Sequence, residues 1–148
     1  MATPHSTPMA QLGVLLAGRG GVASLRVRAA LAEAGLSLRS AFTLTHLADG
    51  PVNQQALIDL LGVDPSALVS VLNELEGLGL VSRRRDPTDR RRHIVLITED
   101  GARTLQTVES VLDTADNDLF AALSPTERDQ LERLLTKVAD AETCAEKY

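Results

Sequence analysis

Residues 60–101 read LLGVDPSALVSVLNELEGLGLVSRRRDPTDRRRHIVLITEDG. Gly62 can take the left-handed conformation that ends a helix, Asp64 stands where an N-cap belongs, and Pro65 fits the first helical position of the next helix. Leu68, Leu72 and Leu75 then recur on one face up to about Gly77, with Gly79 as terminator. Helix, tight glycine-containing turn, helix is the helix-turn-helix pattern. Val81 to Arg85 and Arg91 to Ile97 have strand character and flank a turn at Asp86-Pro87-Thr88-Asp89. The hairpin so formed carries charge: Arg83 to Arg92 hold six of the 15 basic residues and two of the 20 acidic ones. That window is +4 in a chain of net charge −5, which leaves −9 on the remainder. Phosphate attraction depends on where charges sit, so this arm is a local polyanion-binding surface in an acidic protein. A helix-turn-helix followed directly by a basic hairpin is a winged helix, and the fold class expected is mainly α (α+β).

Outward from this stretch the pattern is helical. Asn53 to Leu61 forms the first helix of the pair, with Ala56, Leu57, Leu60 and Leu61 expected inward. Another helix runs from the N-cap Ser37 to Ala48, before Asp49-Gly50-Pro51. Upstream, Leu12, Leu15, Leu16, Val22, Leu25, Ala29 and Ala32 recur at helical spacing from Met9 to about Ala34, and Gly35 closes the segment. Gly18, Gly20 and Gly21 interrupt that helix, which predicts close packing against another element. Downstream, Thr98 caps a long helix to about Leu123, with Glu99 and Asp100 in its first turn. Ser124-Pro125 with Glu127 forms a capping box for the last helix, which carries Leu131, Leu134, Leu135 and Val138. The organisation expected is a flexible tail at 1–8, helical flanks at 9–36 and 99–148, and a DNA-binding winged helix at 37–98.

Composition narrows the function. Only Phe42, Phe120 and Tyr148 are aromatic, so the core is expected to be aliphatic and single-stranded nucleic acid has few stacking platforms. One cysteine, Cys144, excludes an internal disulfide or a cysteine metal cluster. It is read as a structural or idle thiol. His5, His46 and His93 are scattered, so neither a metal nor a cofactor is expected. No apolar run approaches the length of a membrane span, and a reducing cytoplasm is the expected compartment. No nucleophile–base motif or glycine-rich phosphate loop suggests an enzyme.

The 60–101 stretch resembles the multiple-antibiotic-resistance regulator (MarR) family of transcription factors, above all in GLV, the wing DPTDRR and ITEDG. LGVLLAGRGGVASLRVRAALAEAGLS is similar to the family's first helix, which extends the resemblance over nearly the whole chain. It implies a homodimer with its first and last helices forming a dimerisation region, a repressor on a palindromic operator in double-stranded DNA, and release by a small anionic or phenolic effector or by oxidation. It also implies that Asp89 braces the wing while Arg91 enters the minor groove. Arg84, Arg85 and Arg90 are then candidates for phosphate contacts.

In the recognition helix, the face opposite the leucines presents Ser66, Ala67, Val69, Ser70 and Asn73, able to meet base edges or thymine methyls. Asp64, Glu74 and Glu76 make this helix −3 with no basic residue, where relatives commonly place Arg or Lys at Ser70 or Glu74. DNA attraction is therefore expected to depend on the wing, and a winged-helix module for protein association is the alternative. Asn53, Gln54 and Gln55 open the preceding helix, where backbone N–H groups can bind a phosphate or the side chains can act as caps. Arg19, Arg26, Arg39 and His46 are the polar residues expected at the family's ligand pocket, between the DNA-binding lobe and the dimerisation helices.

Overall fold

The computed structural model describes residues 11–139, which form six helices and a small antiparallel sheet. In chain order these are α1 (Leu12–Glu33), α2 (Leu38–Leu47), β1 (Val52–Asn53), α3 (Gln54–Leu61), α4 (Pro65–Gly77), β2 (Val81–Arg85), β3 (His93–Ile97), α5 (Glu99–Leu119) and α6 (Pro125–Ala139). The expected tail, Met9, His5 and Cys144 lie outside the described residues.

The helix-turn-helix forms as its punctuation dictates. Gly62 takes φ +59° and ends α3, and α4 leaves at 110° with Pro65 in its first turn. That angle lies within the usual range for the motif, about 90–120°. Leu68, Leu72 and Leu75 are fully buried and meet Leu57 of α3 with Leu44 and Leu47 of α2 in one aliphatic core. Two details differ from expectation. Asp64 occupies the N-cap position but its side chain makes no capping bond. Leu60 is exposed, because an eight-residue helix turns only a narrow face inward; Leu57 fills it, and Ile58 packs beside it.

The hairpin pairs β2 with β3 in antiparallel register, from Val81 opposite Ile97 to Arg85 opposite His93. Beta-3 is two residues shorter at its start than expected, because a turn holds Arg91 and Arg92: the Arg92 N–H donates to the Asp89 carbonyl at 2.9 Å. The third strand, β1, had no sequence signal. It pairs Val52 with Val95 and sets the sheet order β1-β3-β2, fixing the start of α3 against the root of the wing.

One glycine is required by close approach. A Cβ on Gly101 would stand 2.1 Å from the Leu80 carbonyl oxygen and 2.7 Å from Ile97 Cγ1. The Thr98 hydroxyl accepts from the Gly101 N–H at 3.0 Å and donates to the Gly79 carbonyl at 2.7 Å. Alpha-5 is thereby docked directly on the α4–β2 turn. It ends at Leu119, earlier than expected, where Arg128 donates to the Phe120 carbonyl at 2.9 Å and to Asn117 Oδ1 at 2.8 Å. An arginine on the last carbonyls of a helix satisfies groups that the helix cannot. The capping box of α6 forms in both directions, Ser124 N–H to Glu127 and Glu127 N–H to Ser124.

Alpha-1 reverses its expected faces. Ala30 and Leu31 are buried and Ala23, Val27 and Ala34 partly so, where the helix lies against α5 and α2. The seven residues whose spacing announced the helix, Leu12 through Ala32, are all exposed. Gly18, Gly20 and Gly21 meet nothing within 4 Å, so the close packing they predict is not made among the described residues. The helix carries two apolar stripes, of which the core takes one.

Candidate nucleic-acid interface

The wing is braced by its own acidic residues. Asp86 Oδ1 accepts from the Thr88 N–H at 2.8 Å and the Thr88 hydroxyl at 2.7 Å, a turn that the Asp side chain favours. Hydrogen bonding by the Thr88 side chain, then by its backbone, holds the Asp86 carboxyl below its ordinary range. Asp89 Oδ1 accepts from the Arg91 N–H at 3.0 Å, and its other oxygen pairs with Arg92 Nε at 3.4 Å. The backbone bond fixes Arg91 at the tip while leaving its side chain exposed. Arg84, Arg85 and Arg90 are exposed as well.

Beta-1 brings the other expected phosphate site to the wing. Asn53, Gln54 and Gln55 share an open cleft of about 570 Å³ with Asp59, Arg91, Arg92 and His93. Within it the Asn53 side chain is committed to capping: its Oδ1 accepts from the Ala56 N–H at 2.7 Å. Gln55 Nε2 donates to Asp59 Oδ1 at 3.3 Å. What the start of α3 can offer an anion is thus chiefly its unbonded backbone N–H groups.

On α4, Ser66, Val69, Ser70 and Asn73 are exposed and Ala67 is half-buried. Two of the three acidic groups on this segment have partners within the chain. Glu74 Oε1 accepts from the fully buried Ser40 hydroxyl of α2 at 3.5 Å. Glu76 accepts from Arg83 of β2, through Nε at 3.0 Å and Nη2 at 2.5 Å. The Arg83 hydrogen bond is the main cause that holds the Glu76 carboxyl below its ordinary range. Arg83 was one of six arginines in the sequence stretch with no role of its own. Its partners lie seven and ten residues upstream, across a turn, a separation that no single-element periodicity reveals.

The expected effector residues are not gathered in the same way. Arg19, Arg26 and Arg39 are exposed on α1 and α2, and His46 is half-buried. A second cleft, of about 340 Å³, lies between α5 and α6 around Phe120, Arg128 and Leu135 and includes none of them. Among the described residues, no three His, Cys, Asp or Glu side chains are grouped as a metal site would require, and no single helix is long and apolar enough to cross a membrane.

Known proteins share this architecture. Residues 34–92 match the family model described as MarR family. A putative transcriptional regulatory protein for the hcr operon of Thauera aromatica is 35% identical over 95% of this chain and 87% of its own length. Among solved structures, a MarR-family transcriptional regulator from Rhodococcus sp. RHA1 is 32% identical with a TM-score of 0.77, covering 90% of this chain and 96% of that one. CouR has been solved in two relevant complexes. With p-coumaroyl-CoA, from Rhodococcus jostii RHA1, it is 31% identical at a TM-score of 0.75, over 93% of this chain and 98% of that one. Bound to a 23-mer DNA duplex, as a transcriptional repressor, it is 28% identical at a TM-score of 0.81, over 94% and 99%.

Proposed function

The chain belongs to the MarR family of transcriptional regulators, and on that premise we propose that it acts as a homodimeric repressor on a palindromic operator. The observation that carries this is the meeting of the wing with the start of α3. Arg91 and Arg92 share one cleft with Asn53, Gln54 and Gln55, and one face of α4 is exposed. Alpha-4 enters the major groove with Ser66, Ala67, Val69, Ser70 and Asn73 toward the bases. Arg91 reaches into the adjacent minor groove, where negative potential attracts arginine. Arg84, Arg85 and Arg90 hold phosphates, as do the N–H groups at the start of α3. Asp89 acts indirectly, by fixing the Arg91 backbone. The winged helix is residues 37–98; 9–36 and 99–148 are the dimerisation region, whose exposed stripe on α1 meets a second copy. The site of action is the compartment that holds the chromosome, the cytoplasm.

Release falls to a small anionic or phenolic effector bound between the lobe and the long helices, with Arg19, Arg26, Arg39 and His46 as the candidate polar residues, although they are not gathered in the free chain. The complex of CouR with p-coumaroyl-CoA supports that chemistry, since arginine pairs well with carboxylate and phosphate. Selection of genomic fragments by the purified protein tests the whole proposal, repeated with aromatic acids and their coenzyme A thioesters. Expected is an enriched palindrome whose half-sites lie about one helical turn apart, with binding lost to one compound class. No enriched palindrome at moderate salt would favour a protein-association module instead.

A further inference from the structure

We propose that Arg83 is a positioning residue, not a phosphate contact: it holds the Asn73 amide with its oxygen toward the hairpin, so that the recognition helix presents the amide nitrogen, a donor, to the DNA. This deepens the assignment of α4 to the major groove and rests on it.

Arg83 Nη2 donates to Asn73 Oδ1 at 2.7 Å, while Nε and Nη2 both hold Glu76 Oε2. One guanidinium thus bridges two residues of α4 from the first half of the hairpin. Its side chain is 25% exposed, against 41% for Glu76, so it lies along the helix while its neighbours Arg84 and Arg85 are exposed. A guanidinium has N–H donors and no acceptor. The Asn73 atom facing it is therefore the oxygen, and the amide nitrogen is the atom left for a DNA base.

That orientation has a consequence for readout. An asparagine with both amide atoms available pairs with adenine, accepting from N6 and donating to N7. Asn73, its oxygen turned toward Arg83 with one lone pair taken, favours acceptor edges instead: N7 and O6 of guanine, or O4 of thymine. The charge of Arg83 is meanwhile matched by Glu76 inside the protein. Arg83 then displaces no counterion from DNA, in contrast to the exposed arginines of the wing.

The test compares wild type, Arg83→Ala and Arg83→Lys by operator selection and by affinity measured across salt concentrations. Both variants are expected to broaden the preference at one base pair per half-site, admitting adenine, with the slope of log affinity against log salt unchanged. A slope lowered by about one ion in Arg83→Ala would make Arg83 a phosphate contact and overturn the inference. An unchanged base preference in both variants would overturn the donor orientation. Lysine keeps the charge but replaces the planar fork by a single ammonium, so Arg83→Lys decides the matter if Arg83→Ala fails to fold. Nitrogen-detected NMR of the DNA-free protein separates this inference from the operator proposal. The Arg83 Nε–H signal should be protected in wild type and exchange rapidly in Glu76→Ala. Rapid exchange in wild type would remove the bridge whatever the protein does with DNA.

Discussion

The lobe from α2 to β3 and the long helices around it place their apolar residues differently. In the lobe Leu44, Leu47, Leu57, Leu68, Leu72, Leu75 and Val95 are fully buried against one another. On α1, Leu12 is 85% and Leu25 71% exposed, and α6 adds exposed Leu134, Leu135 and Val138. The lobe core is closed with help from Leu31 of α1 and Leu105 and Val108 of α5, and those apolar residues of α1 and α6 stay exposed. Isolated apolar residues on a surface need no explanation, but a stripe along a 22-residue helix does. The difference assigns the two regions separate tasks. The lobe is the frame that sets α4, α3 and the wing against one another, and the long helices carry the surface that we propose a second copy closes.

The sharpest way to break that contrast is Leu25→Asp. An unpaired carboxylate in a closed dimer interface costs roughly 3 kcal/mol or more, so sedimentation should move the protein from dimer to monomer. The lobe should keep its thermal transition. A variant that stays dimeric would place the interface elsewhere. Leu72→Ala should do the reverse, lowering the unfolding free energy by about 2–5 kcal/mol through the cavity it leaves. Denaturant titration reads this, and a change below about 2 kcal/mol, the low end for such deletions, would mean the lobe core is loosely packed.

Gly101→Ala should cost about 1–3 kcal/mol, because its Cβ meets the Leu80 carbonyl and α5 must shift off the lobe. Alanine at Gly20, which faces open space within the chain, carries no such clash. Ser124→Ala should cost about 1 kcal/mol by removing half of the α6 capping box. Acid should have a modest effect of the same kind. The carboxyls of Glu76, Asp86 and Glu127 are held below their ordinary range by Arg83, by Thr88 and by Ser124 respectively. A depressed carboxylate stabilises the fold above its unfolded pKa, and that contribution fades as pH falls through its folded value. Thermal midpoints should therefore be flat near neutrality and fall only in the acid range. Midpoints that rise on acidification through that range would contradict these pairings.

The lobe was legible in the sequence because each of its boundaries is punctuated locally. Ser37, Gly62, Pro65, Gly79 and Thr98 each act within a turn of their own position. The long helices were legible as helices but not in their orientation. The apolar residues of α1 fit two stripes, and only tertiary contact selects Ala23, Val27, Ala30 and Leu31 for α5. Beta-1 is two residues long and carries no alternation to detect, yet it brings the start of α3 to the wing. The arginine stretch announced a basic arm, but its division of labour depends on contacts across the α4–β2 turn and within the wing. Arg83 turns to α4, Arg92 pairs with Asp89, and Arg91 is held by its backbone with an exposed side chain.

The central claim is that this acidic protein is drawn to DNA by the wing, with Arg91 in the minor groove. Operator affinity of Arg91→Ala, measured against wild type from low to moderate salt, tests it most directly. Binding weakened about tenfold or more is expected, with a salt slope lowered by about one ion. Wild-type affinity with an unchanged slope would contradict it.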